Sequence, residues 1–271
     1  MKNTQKARNE PKGAPQKNMD EDSNRRGFSA KKAHEAQLRM SEKIICEDKL
    51  PKKIQLVAGV DVAYADDVSI GAVAVLDYDS LKLVEKQTAF CKTRFPYVPT
   101  LLSFREIRPA VLCIRKLHAQ PDLFLVDGYG FAHPYHCGFA SHLGLVLRKP
   151  AIGVAKSRLI GEVKTVISRV EANLIESDQK TVGAAVITKS GCRPVYVSVG
   201  NRVSLETAVK IVKHCAKNNR IPEPILTAHR IATNEKRKIN ILSTVKTRDS
   251  EQIAKLKTQC DSKKDSQRTP S

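Results

Sequence analysis

The chain alternates between short apolar runs and longer segments in which apolar residues recur every three or four positions. The short runs, bounded by turn-forming residues, predict β-strands, and the longer spacing predicts amphipathic helices. Strands are predicted at Ile54–Tyr64, Gly71–Leu76, Lys82–Lys92, Leu123–Val126, Ala151–Ala155, Thr181–Thr188 and Pro194–Val199. Helices are predicted from Ser29 onward and at Leu101–Leu117, Gly138–Leu147 and Leu205–Lys217, with Ser29 and Ser204 as N-caps.

The order of these elements predicts an α/β fold with a mixed central sheet and flanking helices. Tight polar links join the first three strands, so we expect them to form an antiparallel meander. Helices separate the next strands, which are therefore expected to join in parallel. The run Leu123–Val126 is apolar on both faces, as is typical of a strand in the middle of a sheet.

Polar segments flank this region at both ends. Residues 1–28 have almost no large apolar side chains and predict a disordered basic extension. Residues 235–271 are again polar and charged, and they predict a flexible, partly helical tail. The remaining residues, 29–234, are predicted to form one domain, which is long enough to bury a hydrophobic core.

The charge of the chain indicates its class of partner. The formal net charge is +19, and the basic excess extends through the predicted domain as well as the two ends. Such a surface attracts polyanions, which favours nucleic acid as a partner. No apolar run approaches membrane-spanning length, and the seven scattered cysteines lack a C-x-x-C pair. We therefore expect a cytoplasmic protein with reduced thiols and no membrane partner.

Three acidic residues stand in or beside apolar elements. Asp61 is the only charge in its strand, Asp127 directly follows the strand Leu123–Val126, and Glu106 lies in the helix that begins at Leu101. Ligands of open α/β sheets bind beyond the carboxyl ends of the strands, where a helix packed across the sheet can bring in Glu106. Clustered carboxylates stay ionised together only with a divalent cation, normally Mg²⁺, which can activate water against a phosphodiester.

Each acid also has an interpretation that requires no chemistry. Asp127 could only organise the turn before two glycines, Asp61 could face water from an edge strand, and Glu106 could be a solvated helix residue. A nucleophilic serine or cysteine has no G-x-S-x-G-like setting, and the histidines at 133 and 136 lack metal-ligand spacing on a defined helix. A metal-dependent reaction on nucleic acid is thus the favoured chemistry.

Residues 95–99, FPYVP, which we call the proline loop, cannot form regular structure and present Tyr97 on a stiff loop. Further motifs are VAGVDVAY (57–64), PYVPTLLSFRE (96–106), PDLFLVDGYGFAHP (121–134), GFASHLGLVL (138–147), AIGVAKSRL (151–159), PVYVSVGNRVSLETA (194–208) and RIPEP (220–224). Together these motifs resemble the endonuclease V family over roughly residues 54–231. The resemblance implies a ribonuclease H-like fold and a monomeric, Mg²⁺-dependent endonuclease, with Mn²⁺ as a substitute. It further implies recognition of deoxyinosine in DNA during DNA repair and cleavage of the second phosphodiester bond on the 3′ side.

The same resemblance assigns roles to individual residues. Asp61 and Asp127 are implied to be metal ligands, Glu106 completes the acidic cluster as a third ligand or supporting acid, and Lys156 lies near the scissile phosphate. These four are the implied catalytic residues. The substrate-binding group consists of Pro96, Tyr97, Val98 and Pro99, which form a wedge with Tyr97 as its stacking ring, and of Gly128.

The chain departs from the family pattern at several positions. Asn201 stands where a histidine near the metal is usual, Thr100 where a glycine follows the wedge, and Tyr135-His136 where two basic residues are usual; Tyr129 replaces a smaller polar residue. Because an amide cannot transfer protons as imidazole does, one alternative is an inosine-binding protein with weakened catalysis. A second alternative is an endoribonuclease that cleaves inosine-containing RNA.

Overall fold

The structure of the protein, a computed structural model, describes residues 29–164 and 172–242. Within these ranges nine strands form one sheet in the order β3-β2-β1-β4-β5-β9-β8-β7-β6. The strands are β1 Leu56–Ala65, β2 Val68–Asp77, β3 Leu83–Lys92, β4 Leu123–Asp127, β5 Ala151–Ala155, β6 Glu162–Lys164, β7 Asn173–Ser177, β8 Lys180–Val186 and β9 Val195–Asn201. The helices are α1 Ala30–Ser41, α2 Leu102–Ile114, α3 Phe139–Leu147, α4 Leu205–Ala216 and α5, residues 223–242.

The topology agrees with the order predicted from the sequence. Strands β1, β2 and β3 form an antiparallel meander, and β4 and β5 join β1 in parallel. Strand β9 then pairs antiparallel with β5, and β8 and β9 form an antiparallel hairpin. Ser29 and Ser204 cap α1 and α4, since their side chains accept hydrogen bonds from the backbone N–H groups of Lys32 and Thr207.

Three elements were not predicted. Strands β6 and β7 are short and largely polar, so they carry no apolar run by which a strand is recognised. Helix α5 was missed because Pro222 and Pro224 suggested a loop. Proline is nevertheless tolerated in the first turn of a helix. The helix continues past the expected boundary at 234/235, and the predicted extension at residues 1–28 and most of the tail lie outside the described residues.

The sheet separates two apolar layers. On one face, Ala58, Val60, Phe124 and Val126 pack with residues of α2 and α3. On the other face, the alternate positions Val57, Leu123 and Leu125 pack with residues of α4 and with Ile225 and Ala228 of α5. The alternation follows from the two-residue period of a strand, so side chains of odd number in β1 and β4 share the α5 face.

Two glycines allow helices to lie directly against the sheet. A Cβ atom at Gly59 of β1 would lie 1.9 Å from the carbonyl oxygen of Pro224 in α5, and one at Gly71 of β2 would lie 2.1 Å from that of Pro109 in α2. Any larger residue would push the helix away from the strand. These contacts therefore set the distance of both helices from the centre of the sheet.

The described helices include none that is both long and apolar enough to cross a membrane. The six cysteines within the described ranges are not joined in disulfides, and three of them are buried.

His142 of α3 makes the stability of the fold depend on pH. Its side chain is buried against the edge of the Phe104 ring, at a centroid distance of 5.2 Å, and burial lowers its pKa to about 4 from the ordinary 6.5. Between these values the unfolded chain binds a proton that the folded chain excludes, so the free energy of unfolding falls as the pH falls through this window.

We expect the free energy of unfolding of the wild-type protein to fall by about 1.4 kcal/mol, through this one group, between about pH 7.5 and about pH 5.5. The variant His142→Leu removes the titrating group, so its melting temperature should fall less over the same interval. Thermal unfolding at the two pH values measures the difference. Equal losses in both proteins would contradict this assignment.

Candidate active site

The parallel pairing of β1 with β4 brings two aspartates together. The register pairs Val60 with Val126, so that Asp61 and Asp127 stand at the same level one step further along and project to the same face. Asp61 is 8% exposed. Burial raises the pKa of its carboxyl, and the neighbouring Asp127 carboxylate raises it further.

Helix α5 adds an imidazole to this pair. The Nδ1 atom of His229 lies 2.8 Å from Oδ2 of Asp61, a contact that opposes the rise in the pKa of Asp61. One ligand atom from each of Asp61, Asp127 and His229 can be chosen so that all three lie within 4.8 Å of one another. The approach depends on Gly59, two residues before Asp61 on the same face, because its missing side chain admits the start of α5.

The sequence analysis missed His229. It lies 168 residues from Asp61, in a segment whose prolines suggest a loop. A helical interpretation of residues 223–234 would have revealed a signal, because it places His229 on the same face as the buried Ile225, Ala228 and Ala232.

Glu106 reaches the cluster from the opposite face of the sheet, on α2. It is 8% exposed, and its Oε1 accepts a hydrogen bond from the hydroxyl of Tyr64 at 3.4 Å. Burial raises its pKa well above the ordinary value, and the carboxylates of Asp61 and Asp127 add to this effect. Glu106 thus lies close enough to interact electrostatically with both aspartates, although it is outside their three-residue group with His229.

The donor set fits a divalent cation. Carboxylate oxygens are the preferred ligands of Mg²⁺, and a mixed set of carboxylates and imidazole also suits Mn²⁺. A cation stabilises the ionised form of acids whose pKa is raised by burial and by a neighbouring carboxylate, as it is for Asp61 and Glu106. The residues that could hold the ion are Asp61, Asp127 and His229, with Glu106 beside them.

Lys156 follows β5 and supplies a positive charge at the same place. Its Nζ atom lies 2.5 Å from Oδ2 of Asp127, and its side chain is 49% exposed. The guanidinium of Arg220 donates a hydrogen bond to the backbone carbonyl of Lys156 at 2.7 Å, which fixes the start of the loop after β5. The ammonium group is thus held beside the carboxylates while it remains accessible from solvent.

The proline loop forms one wall of a cavity of about 400 Å³ beside the acidic cluster. Tyr97 is 72% exposed, so its ring is presented to solvent. Asp127 and Lys156 line the same cavity as the proline loop. Its other lining residues include Gly128, Tyr129, Gly138, Phe139 and Leu159. The cavity therefore combines an apolar lining with charged groups.

Asn201 does not take the place of an imidazole at the cluster. It is 2% exposed at the end of β9, its Oδ1 accepts a hydrogen bond from the Ile45 N–H at 3.1 Å, and its Nδ2 donates one to the Gly144 carbonyl at 3.1 Å. The amide therefore joins the segment after α1 to α3. The imidazole beside the acids is that of His229, so the presence of an amide at residue 201 does not leave the cluster without a histidine.

The arrangement of mixed sheet, flanking helices and acidic cluster defines an α/β protein of the ribonuclease H-like class, as predicted. The family model for endonuclease V matches residues 38–230 of the chain. The chain belongs to the endonuclease V family and is an endonuclease, an enzyme that hydrolyses phosphodiester bonds within nucleic acid.

Similarity to individual proteins supports the same family assignment. The endonuclease V of Thermofilum pendens is 44% identical over 207 residues, which are 76% of this chain and 88% of the relative. The crystal structure of endonuclease V from Streptomyces avermitilis has a TM-score of 0.73 at 36% identity and covers 78% of this chain and 95% of its own. The endonuclease V of Ciona intestinalis, solved with a 24mer DNA containing an inosine followed by a ribo-adenosine, has a TM-score of 0.67 at 33% identity, with coverage of 77% and 98%.

Removing either aspartate should abolish divalent-ion binding. We expect Mn²⁺ to raise the melting temperature of the wild-type protein, since an ion at 100 times its Kd stabilises the folded state by about 2.7 kcal/mol. The variants Asp61→Asn and Asp127→Asn should lose this increase. Asp67→Asn, at a surface carboxylate that is 69% exposed, is the matched control and should keep it. An undiminished increase in the Asp61 and Asp127 variants would place the ion elsewhere.

Proposed function

We propose that the protein is a Mg²⁺-dependent endonuclease that recognises deoxyinosine in DNA and cleaves the second phosphodiester bond on its 3′ side. The observation that carries the proposal is the position of the Asp61, Asp127 and His229 cluster beside a cavity walled by the proline loop. The inosine-containing DNA bound by the Ciona intestinalis relative supports this choice of substrate.

The acids of the cluster have separate roles in this proposal. Asp61, Asp127 and His229 hold Mg²⁺, which when bound supplies charge stabilisation and an activated water. Glu106 supports the site from the other face of the sheet, where the Tyr64 hydroxyl orients its carboxyl. While the neighbouring acids are uncompensated, burial and repulsion favour the protonated form of Glu106, so positive charge at the aspartates favours its ionisation.

Lys156 serves the phosphate in the same proposal. A half-exposed ammonium group beside Asp127 can move on its flexible stem to an incoming phosphodiester, where it offsets the negative charge that develops during cleavage. Its contact with Asp127 in the absence of substrate keeps it near the reacting group.

The cavity and the proline loop account for base selection. Extruding a base costs a few kcal/mol and costs least for a weakly paired base such as inosine, so an element that fills the vacated space contributes to selectivity. Pro96, Val98 and Pro99 stiffen and shape this wedge, and the exposed ring of Tyr97 can stack on the neighbouring base. The extruded base would enter the cavity beside Gly128.

RNA is the second candidate substrate. The strand bound by the Ciona intestinalis relative carries a ribonucleotide directly after the inosine, so a ribose at that position is compatible with binding in the relative. Cleavage of inosine-containing RNA uses the same residues in the same roles, and only the sugar tolerance differs.

Mg²⁺ should be required for nicking of an inosine-containing duplex. We expect one nick at the second phosphodiester on the 3′ side of the lesion with Mg²⁺, no product with EDTA, and no product from a duplex with adenosine at that position. Gel analysis of matched, end-labelled DNA and RNA strands shows whether the deoxyribose or the ribose substrate is cleaved faster. Equal cleavage in EDTA would refute the proposal.

Loss of the Tyr97 ring should weaken binding to inosine-containing DNA. Stacking on a base contributes roughly 1–3 kcal/mol, so Tyr97→Ala should raise the Kd about ten- to one-hundred-fold. Tyr97→Phe keeps the ring and is the control that should bind like the wild type. Fluorescence anisotropy measures the Kd, and thermal unfolding should show no change in stability. A large drop in melting temperature with unchanged inosine preference would instead identify Tyr97 as a packing residue.

A further inference from the structure

Helix α1 holds the exit of the proline loop through a buried glutamine. Gln37 is fully buried, and its Nε2 donates hydrogen bonds of 2.9 Å to the carbonyl oxygens of Thr100 and Cys137. Both partners are acceptors, so the orientation of the amide is determined by its surroundings. The Oε1 atom has no hydrogen-bond partner within the described parts of the chain. Gln37 thus joins α1, the residue after the proline loop and the segment before α3.

His34, one turn earlier on α1, contacts the same threonine. Its Nε2 lies 3.0 Å from Oγ1 of Thr100, and that hydroxyl donates its hydrogen to the Pro99 carbonyl at 2.5 Å. Because a hydroxyl carries one hydrogen, His34 must be the donor in the first contact, with its proton on Nε2. The imidazole also stacks on Tyr135 at a centroid distance of 4.1 Å.

Thr100 needs this support because its backbone is strained. Its φ is +70°, in the left-handed region that a β-branched residue rarely adopts. Such a conformation persists only where surrounding contacts over-determine it. Here the contacts include the two hydrogen bonds from α1, the turn closed by the Leu101 N–H and the Val98 carbonyl at 3.0 Å, and a hydrogen bond between the His133 side chain and the Thr100 backbone.

The entrance of the proline loop is held separately by α2. Arg105 donates a hydrogen bond to the Phe95 carbonyl at 3.1 Å, and the rings of Phe95 and Phe104 stack at 5.6 Å. Tyr97 stands between these two anchors with its ring exposed to solvent. Its position relative to the cavity therefore depends on both ends of the loop.

We propose that α1 positions the wedge: Gln37 and His34 hold Thr100 in its left-handed conformation and thereby set where Tyr97 stands over the cavity. They are positioning residues, because they act through Thr100. The inference rests on the proposed function, in which Tyr97 enters the duplex. Helix α1, which carries none of the three acids, thereby takes part in strand separation.

The first test needs no activity. Hydrogen–deuterium exchange of the full chain reports the mobility of residues 95–101 directly. In Gln37→Met, which keeps the length of the side chain without its donors, exchange in this segment should accelerate about tenfold or more. The control Asp122→Ala loses two hydrogen bonds from backbone N–H groups at the other end of β4 and should leave the segment unchanged. Unchanged exchange in Gln37→Met would overturn the proposal.

The second test separates wedge action from general damage. A duplex must be opened around the inosine, whereas a single strand need not be. Gln37→Met should therefore lower kcat/KM on an inosine-containing duplex about tenfold and change it less than about twofold on the single strand. An equal loss on both substrates would mean that α1 has only a structural role. A wild-type protein that nicks neither substrate would count against the proposed function, while the exchange experiment would still decide the role of α1.

Two further variants keep the inference testable if Gln37→Met does not fold. His34→Phe retains the ring that stacks on Tyr135 but lacks the donor for Thr100, and it should show the same selective loss on duplex substrate. Thr100→Gly removes the strain, so it should raise the melting temperature and still accelerate exchange in the proline loop. A duplex preference like that of the wild type in both variants would refute the positioning role.

Discussion

Repulsion between the carboxylates of Asp61 and Asp127 is the constraint on which the site depends. The parallel register of β1 and β4 places Asp61 and Asp127 side by side on one face, and Asp61 is too deeply buried for water to stabilise its charge. Two side chains compensate the pair: the Lys156 ammonium group lies at Asp127, and the His229 imidazole lies at Asp61. A divalent cation completes the same compensation more strongly, since it attracts both carboxylates at once.

The accuracy of this arrangement comes from backbone contacts. Gly59 and Gly71 remove the Cβ atoms that would otherwise separate α5 and α2 from the sheet. As a result, His229 and Glu106 approach the aspartates from opposite faces and from rigid elements. Functional groups on packed helices and strands are held more accurately than groups on loops.

In the proposed function, recognition of the base and cleavage of the phosphodiester use different kinds of structure. The acids stand on strands and helices, whereas Tyr97 is presented by a loop with two prolines, anchored at one end by α2 and at the other by α1. Loops carry binding groups because they can be reshaped without disturbing the core. The left-handed backbone of Thr100 nevertheless requires supporting contacts, because an unsupported left-handed threonine would relax.

Local patterns in the sequence were sufficient to predict the meander, the buried β4 strand, α2, α3 and α4, and the three acids beside apolar elements. They were sufficient because burial on one or both faces leaves a period that the chain shows directly. Tertiary structure alone decided that His229 reaches Asp61 across 168 residues and that Asn201 is a buried connector to Ile45 and Gly144. Likewise, only packing showed that Gln37 of α1 supports Thr100, 63 residues away. Hydrogen bonds between distant segments leave no local period, since they depend on how helices pack against the sheet.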